Sequence, residues 1–329
     1  MSGAQPGDRP TTTWLAEFDG RRVTVEVPAS SANLGAGYDC LAVALDLTNR
    51  IDLEVLGWGS DGVELVVEGE GEGELSAAQD NRFVQGLEAA LRAARGDVPE
   101  QAGWRIRMRN RIPLARGLGS SAAATVGGLV AGNALLGGPL GQAELLRLAV
   151  EVEGHPDNAA AALLGGFVVV VADGGALEAV RFDVPRELRT VVFIPERRLS
   201  TSEMRGILPD AVPRADAVAN VGRVAIGVAG LARGRTDLLA WMTRDRLHEP
   251  YRATVFPELV ALVEGAREAG AIGACLSGSG STVIAFADSV ATMTRIEAAI
   301  MAAAAEADLA GRVEIVPPRN AGATVTEEA

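Results

Sequence analysis

The sequence predicts an α+β protein built as two closely packed lobes. Two observations carry this expectation. The chain has 329 residues, 48% hydrophobic and 22% charged, enough to fill one large core or two ordinary ones. Along it, stretches alternating apolar and polar side chains, the period of a half-buried strand, are interspersed with stretches whose apolar residues recur every three or four positions, the period of an amphipathic helix.

In chain order, residues 1–20 read as a polar, irregular arm. The first lobe is placed at 21–173. Val23, Val25 and Val27 alternate with Arg22, Thr24 and Glu26 in a strand ending at Pro28. The stretch A-S-S-A-N-L-G-A-G-Y-D, 29–39, reads as a loop whose strong hydrogen-bonding side chains, serines apart, are Asn33 and Asp39; taken alone it is an Asx-rich turn. Strands are expected at 51–56 and 63–67, then an exposed Gly and Glu loop at 68–74. Asn81 precedes a helix with Phe83, Leu87, Leu91 and Ala94 on one face. The next strand sets Trp104, Ile106 and Met108 against Arg105, Arg107 and Arg109.

A helix dominated by Ala and Gly runs to about Leu136, and its small residues require a close neighbour. A second helix, 142–153, turns Leu145, Leu148, Ala149 and Val152 inward. The crowded run E-V-E-G-H-P-D-N, 151–158, follows, then an apolar segment with a buried strand at 167–171. The second lobe is placed at 174–316. Its strands are 191–194, 273–276, 282–287 and 313–316, and its helices 214–233, 238–247, 256–269 and 289–307. Residues 317–329 read as a disordered tail.

Composition excludes several functions. A net charge of -13 opposes a nucleic-acid surface, so an anionic substrate has to be met locally by arginine, helix ends and metal. All thirty basic residues are arginine. Without lysine there is no Schiff-base chemistry and no Walker loop, and His155 and His248 alone cannot form a multi-histidine cage. Cys40 and Cys275 lack metal spacing and read as free thiols in the cytoplasm. No signal peptide or membrane span is expected. A homodimer is possible.

The segment P-L-A-R-G-L-G-S-S-A-A-A, Pro113 to Ala124, links a strand to a helix. Gly117 and Gly119 permit backbone angles closed to other residues, and Ser120 and Ser121 open a helix whose positive end favours anions. That is a phosphate cradle in which a serine hydroxyl can also ligate Mg2+. The same residues fit a plain N-cap or the dinucleotide pattern G-x-G-x-x-A. The latter needs an acidic residue about 20 positions on, after a strand, where this chain has Gly137, Gly138 and Pro139 leading into another helix. In the second lobe, Thr201 and Arg205 stand four apart, on one face if helical. His248, Glu249, Pro250, Tyr251 and Arg252 cluster at a helix end, and S-G-S-G-S at 277–281 suits either a hairpin or close approach to a backbone or phosphate.

Four stretches in fixed order resemble the GHMP kinases: V-E-V-P-A-S-S-A-N-L-G-A-G-Y-D from Val25 to Asp39, P-L-A-R-G-L-G-S-S-A-A from Pro113 to Ala123, E-G-H-P-D-N from Glu153 to Asn158, and G-A-C-L-S-G-S-G-S-T from Gly273 to Thr282. The first and third are most similar to the branch that acts on homoserine rather than mevalonate. The resemblance spans about 22–316 and implies the GHMP kinase fold, with a ribosomal-S5-domain-2-like first lobe and a ferredoxin-like second. It implies ATP-dependent phosphorylation of the side-chain hydroxyl of L-homoserine, in threonine biosynthesis; another small-molecule kinase of the class is the alternative, and a non-catalytic relative the more distant one.

Carried over by motif position, Pro113, Leu114, Ala115, Arg116, Gly117, Leu118, Gly119, Ser120 and Ser121 hold the ATP phosphates, with Asn81 near the nucleoside. Ser121 and Glu151 are the implied Mg2+ ligands, Glu153 being the alternative. Asn33, Asp39, His155, Arg205 and Arg252 map onto the amino-acid pocket. Asn33, Asp157 and Thr201 are the catalytic candidates, Asp157 being the nearest potential base. For a zwitterion, Asp39 suits the ammonium, Arg205 and Arg252 can fork the carboxylate, and Asn33 can orient the hydroxyl. The family often has proline where this chain has Ala36, Ala161 and Ser281, positions expected to stiffen loops.

Overall fold

The computed structural model describes residues 14–58, 62–76, 80–98 and 102–328. In chain order the first lobe contains β1 (Arg22–Ala32), β2 (Leu41–Trp58), β3 (Gly62–Gly69), α1 (Arg82–Arg95), β4 (Ala102–Asn110), α2 (Ser120–Leu135), α3 (Gln142–Glu153), α4 (Asp157–Leu164), β5 (Phe167–Asp173) and β6 (Ala176–Phe182). The second contains β7 (Arg189–Pro195), α5 (Thr201–Gly206), α6 (Arg214–Ala232), α7 (Leu239–Met242), α8 (Glu249–Arg252), α9 (Glu258–Glu268), β8 (Gly273–Leu276), β9 (Val283–Ala287), α10 (Val290–Glu306) and β10 (Gly311–Ile315). The chain then returns to the first lobe as β11 (Thr324–Glu328).

Among the described residues the strands form two sheets. The first runs β11-β1-β2-β4-β3, with β5 and β6 attached to the start of β2 at Leu41–Val43. Its pairs are antiparallel except β3 with β4. The valines that alternate in β1 point inward, so Val23, Val25 and Val27 are buried beneath the helices. α2 packs against α1 at backbone distance: a Cβ on Gly128 would lie 2.0 Å from Phe83 O, and one on Gly86 2.2 Å from Thr125 O. That contact accounts for the small residues of α2.

The second sheet runs β10-β7-β9-β8, antiparallel throughout, with β8 and β9 consecutive and α10 joining β9 to β10. This is the ferredoxin-like order. Alternate residues of β7 face two cores. Val191 and Phe193 join Leu262, Ile296 and Leu276, whereas Val192 and Ile194 join the core of the first lobe. The lobes are therefore fused through a sheet buried on both faces, with each fully buried large side chain contributing roughly 1.5–3 kcal/mol.

Several boundaries differ from expectation. Trp14–Phe18 is not a frayed arm but a short 3-10 helix with Leu15 and Phe18 buried; residues 1–13 of the expected arm lie outside the described residues. Nor is 317–328 a disordered tail, since β11 pairs with β1 from Arg22↔Glu328 to Glu26↔Thr324. Residue 329 lies outside the described residues. The first lobe extends past 173, because β6 pairs with β5 along its whole length. The strand expected at 51–56 is the second half of β2, whose first half opens with the apolar run Leu41–Leu45, buried at every position and therefore without polar alternation. The helix expected at 238–247 stops at Met242, since Asp245 instead accepts hydrogen bonds from the backbone of Leu247, His248 and Glu249 and caps the next turn. Ala161 sits inside α4 rather than in a loop.

α6 is the one described helix long and apolar enough to cross a membrane, yet it is an element of the second lobe, where Asn220 donates to Ala36 O and to Asp245.

Candidate functional site

The segment between β4 and α2 is held almost entirely through its backbone. Asn49 Oδ1 accepts from the amides of Arg111 and Ile112, and the carbonyls of Ala115, Arg116 and Leu118 accept from Leu199, Thr282 and Ser30. Gly117 and Gly119 have φ of 75° and 70°. Only glycine fits there: a Cβ on Gly117 would lie 2.1 Å from Ser277 O, and one on Gly119 2.2 Å from Ser30 Oγ. The S-G-S-G-S turn is thus the second-lobe backbone that presses on the loop, and Ser277 Oγ donates to Gly117 O at 2.6 Å. No side chain caps α2, which leaves the positive end of a sixteen-residue helix open to an anion.

Two cleft regions meet at Ser120 and Ser121. One, about 630 Å³ of open space, is lined by the loop, Asn33, Asp39, His155, Asp157, Thr201, Arg205 and Arg252. The other extends past Leu114, Thr201 and the N-cap residue Asn81 to Ile51 and Met108. Pro113, Ala115 and Gly117–Ser121 line the first region, although Leu118 is buried and contributes its main chain.

The acidic partner of Ser121 is Glu153. Ser121 Oγ and Thr125 Oγ1 both donate to Glu153 Oε1, at 3.0 and 2.5 Å, while Arg82 Nε stands 3.9 Å away. The Glu153 side chain is 2% exposed. Glu151, the first expectation, is turned away: its side chain is 58% exposed and paired with Arg147 one turn earlier. Helix phase decides between them, since Glu153 follows the buried Ala149 by four residues and Glu151 follows the exposed Arg147 by four. Oxygen donors from serine, threonine and carboxylate suit Mg2+.

The end of the first region away from the loop has a built-in ion pair. Arg205 donates to both carboxylate oxygens of Asp39, at 2.9 and 2.6 Å, and to Tyr38 OH at 2.9 Å. Its hydrogen bonds to Asp39 raise the guanidinium pKa further. Tyr38 was not singled out in the sequence, but its ring lies 5.5 Å from both the Arg205 and the Arg252 guanidinium, and burial raises its phenol pKa. Arg252 is 1% exposed, which lowers its pKa by desolvation. It does not pair with Arg205 as a symmetric fork, because most of its donors are taken by Met204 O, Gly278 O and His248 Nδ1.

Other expected residues are placed with changed duties. Asn33, at φ 66°, donates to Gly278 O at 2.8 Å and accepts from Asp39 N at 3.0 Å, so its amide shapes the loop rather than reaching freely for a hydroxyl. Arg116 turns from the cradle to donate to Pro195 O, Leu114 O and Glu196 O. His155 Nδ1 stands 3.2 Å from Asp157 Oδ1, and that contact raises the histidine pKa against the desolvation that opposes it. Asp157, 2% exposed, also accepts from Asn158 N at 2.8 Å. Thr201 Oγ1 is 3.2 Å from Ser279 Oγ at the lip where the two regions join.

A cradle for phosphate, a hard-cation donor set and a charged small-molecule pocket on one fused two-lobed fold define a class of phosphotransferase. The chain matches the family models for the GHMP kinases N terminal domain at residues 81–166 and the GHMP kinases C terminal region at 228–306, and it belongs to the GHMP kinases. It is 44% identical over 302 residues to the homoserine kinase of Moorella thermoacetica, covering 92% of this chain and 99% of that protein. To the homoserine kinase of Carboxydothermus hydrogenoformans it is 46% identical over 266 residues, 80% of this chain and 85% of that one. The crystal structure of homoserine kinase from Cytophaga hutchinsonii superposes with a TM-score of 0.83 at 30% identity, covering 93% of this chain and 98% of that one. Within the class, its family is that of the homoserine kinases.

Proposed function

We propose that this protein transfers the terminal phosphoryl group of ATP to the side-chain hydroxyl of L-homoserine, giving O-phospho-L-homoserine on the way to threonine. The observation that carries the reading is the single cleft bounded by the open end of α2 on one side and by Asp39, Arg205 and Arg252 on the other. The first-turn amides of α2 face the phosphates, and the recess beside Asn81 and Leu114 takes the nucleoside. Ser121 and Glu153 would hold Mg2+, which when bound neutralises phosphate charge.

Homoserine enters by exchange. Its ammonium takes Asp39 and its carboxylate takes Arg205, so the members of that ion pair each trade one partner for another, while Arg252 adds a second cation to the carboxylate. Two arginines alone would suit any carboxylate; Asp39 adds the demand for an ammonium. Mevalonate lacks that charge and galactose lacks both.

Phosphoryl transfer runs through a loose transition state, so alignment and electrostatics supply most of the rate. Asp157, held by His155 and Asn158 N, orients the hydroxyl. General-base catalysis is typically worth 10²–10⁴-fold. Asp157→Asn should therefore keep appreciable turnover, losing less than about 100-fold in kcat; complete loss with normal substrate binding would make it an obligatory base. The function itself is tested by ADP release over homoserine, mevalonate, galactose and serine. Saturable release with homoserine alone is expected, and release with another member of the panel instead would overturn the reading. The free thiols of Cys40 and Cys275 suit a cytoplasmic site of action.

A further inference from the structure

His248 is buried at the amino-acid end of the cleft, one helical turn before Arg252. Its ring lies between two groups whose hydrogen-bonding sense is fixed. Nε2 is 2.8 Å from Gly35 O, which can only accept, and Nδ1 is 3.0 Å from Arg252 NH1, which can only donate. The ring is therefore held in one tautomer, with its proton on Nε2 and a lone pair on Nδ1. Burial, with the Arg252 charge assisting and Asp245 opposing, lowers its pKa to about 4, so that lone pair is present at neutral pH.

Arg252 shows what the lone pair is for. Its Nε donates to Met204 O at 3.3 Å, and its NH1 donates to Gly278 O at 2.8 Å as well as to the histidine. The Nε and NH1 donors are thus all spent on protein acceptors. Among the described residues, NH2 makes no hydrogen bond, and Arg252 lines the cleft. The tilted contact of Tyr38 with the His248 ring, 5.3 Å between centroids, limits ring rotation. Gly35 O thus anchors the ring, while the loop that carries Asn33 and Asp39 is held separately by Ala36 N donating to Met242 O and Gly37 N to Asn33 O.

We propose that His248 is a positioning residue for substrate recognition: by accepting from Arg252 NH1 and donating to Gly35 O, it aims the free NH2 group of Arg252 at the substrate carboxylate. The inference rests on the cleft being an amino-acid pocket. Without the acceptor, the guanidinium is free to swing toward Asp39, and the carboxylate meets a misdirected charge.

The test compares wild type, His248→Phe and His248→Gln in steady-state kinetics with L-homoserine and ATP. It also measures the inhibition constant of 3-amino-1-propanol, which keeps the hydroxyl and the amine but has no carboxylate. His248→Phe should raise the homoserine KM by about tenfold, the worth of one aligned charge-assisted hydrogen bond. The ATP KM and the amino-alcohol constant should stay at wild-type values. Glutamine can donate and accept at once, so His248→Gln should recover most of the loss. An unchanged homoserine KM, equal losses for both ligands, a matching rise in ATP KM, or a glutamine variant no better than phenylalanine would each overturn the proposal. Should the phenylalanine ring prevent folding, the smaller His248→Leu gives the same readout. Wild-type protein that fails to phosphorylate homoserine would instead defeat the functional reading, a result seen before any variant is made.

Discussion

The two ends of the cleft are built by opposite means. The phosphate end is a contiguous backbone structure: one loop, two glycines at positive φ and the first turn of α2, clamped by main-chain hydrogen bonds from β1, the second-lobe turn and Leu199. The end proposed for the amino acid is a side-chain structure assembled from residues 38–39, 155–157, 205 and 248–252, and its Arg205–Asp39 ion pair is one that the ligand must break. The first end is stiff before anything binds. The second stores its specificity in Arg205 and Asp39, which satisfy each other, so the wrong ligand leaves one of them stranded.

Breaking the stiff end should cost most. Gly117→Ala places a Cβ 2.1 Å from Ser277 O at a φ of 75°. Misplacing the loop by about 1 Å costs on the order of 100-fold in kcat, with a fall in melting temperature alongside; wild-type kcat in this variant would show that the cradle is not clamped. Next comes the metal edge. Glu153→Gln should weaken the apparent Mg2+ affinity by about 10- to 100-fold in a titration of activity against magnesium, while Glu151→Gln should stay within about twofold of wild type as a surface change. The reverse order would restore Glu151 as the ligand.

The charge-exchange end is softer, because the Arg205 and Asp39 side chains are 35% and 33% exposed and solvent screens their pair. Arg205→Ala should raise the homoserine KM about tenfold without moving the ATP KM; parallel changes in both would dissolve the distinction between the two ends. The smallest effect concerns His155. Its folded-state pKa lies above the unfolded value near 6.5, so its contact with Asp157 adds stability below that value and loses it as pH rises through the folded pKa. Denaturant melts of wild type and His155→Gln should differ most in mildly acidic buffer and converge in alkaline buffer. A gap that widens with pH would mean the histidine is held neutral.

Legibility in the sequence follows the same division. The cradle could be read from Pro113 to Ala123 because everything it needs is local: glycines for unusual angles, small side chains for the close helix, serines for the open helix end. The motifs name residues that the fold does bring to one cleft, but not the contacts each one makes there, since those depend on partners far away. Arg252 looked like half of a fork until Gly278 and Met204 claimed its donors, and Asn33 looked free until the same Gly278 carbonyl took its amide. Glu153 was within reach of sequence reasoning. The inward phase of Leu145, Leu148 and Ala149 already puts it, and not Glu151, on the core face. β11 was not within reach: T-V-T-E-E is short, polar and preceded by glycine and proline, and only the unpaired edge of β1 makes a strand of it.

That last strand bears on how the molecule comes into being. β1 and β11 are joined by pairings about three hundred positions apart, such as Arg22↔Glu328, so β1 is an edge of the first-lobe sheet until residues 324–328 have left the ribosome and β11 takes that place. During that interval β1 offers a bare row of amides and carbonyls, the surface that invites intermolecular strand addition.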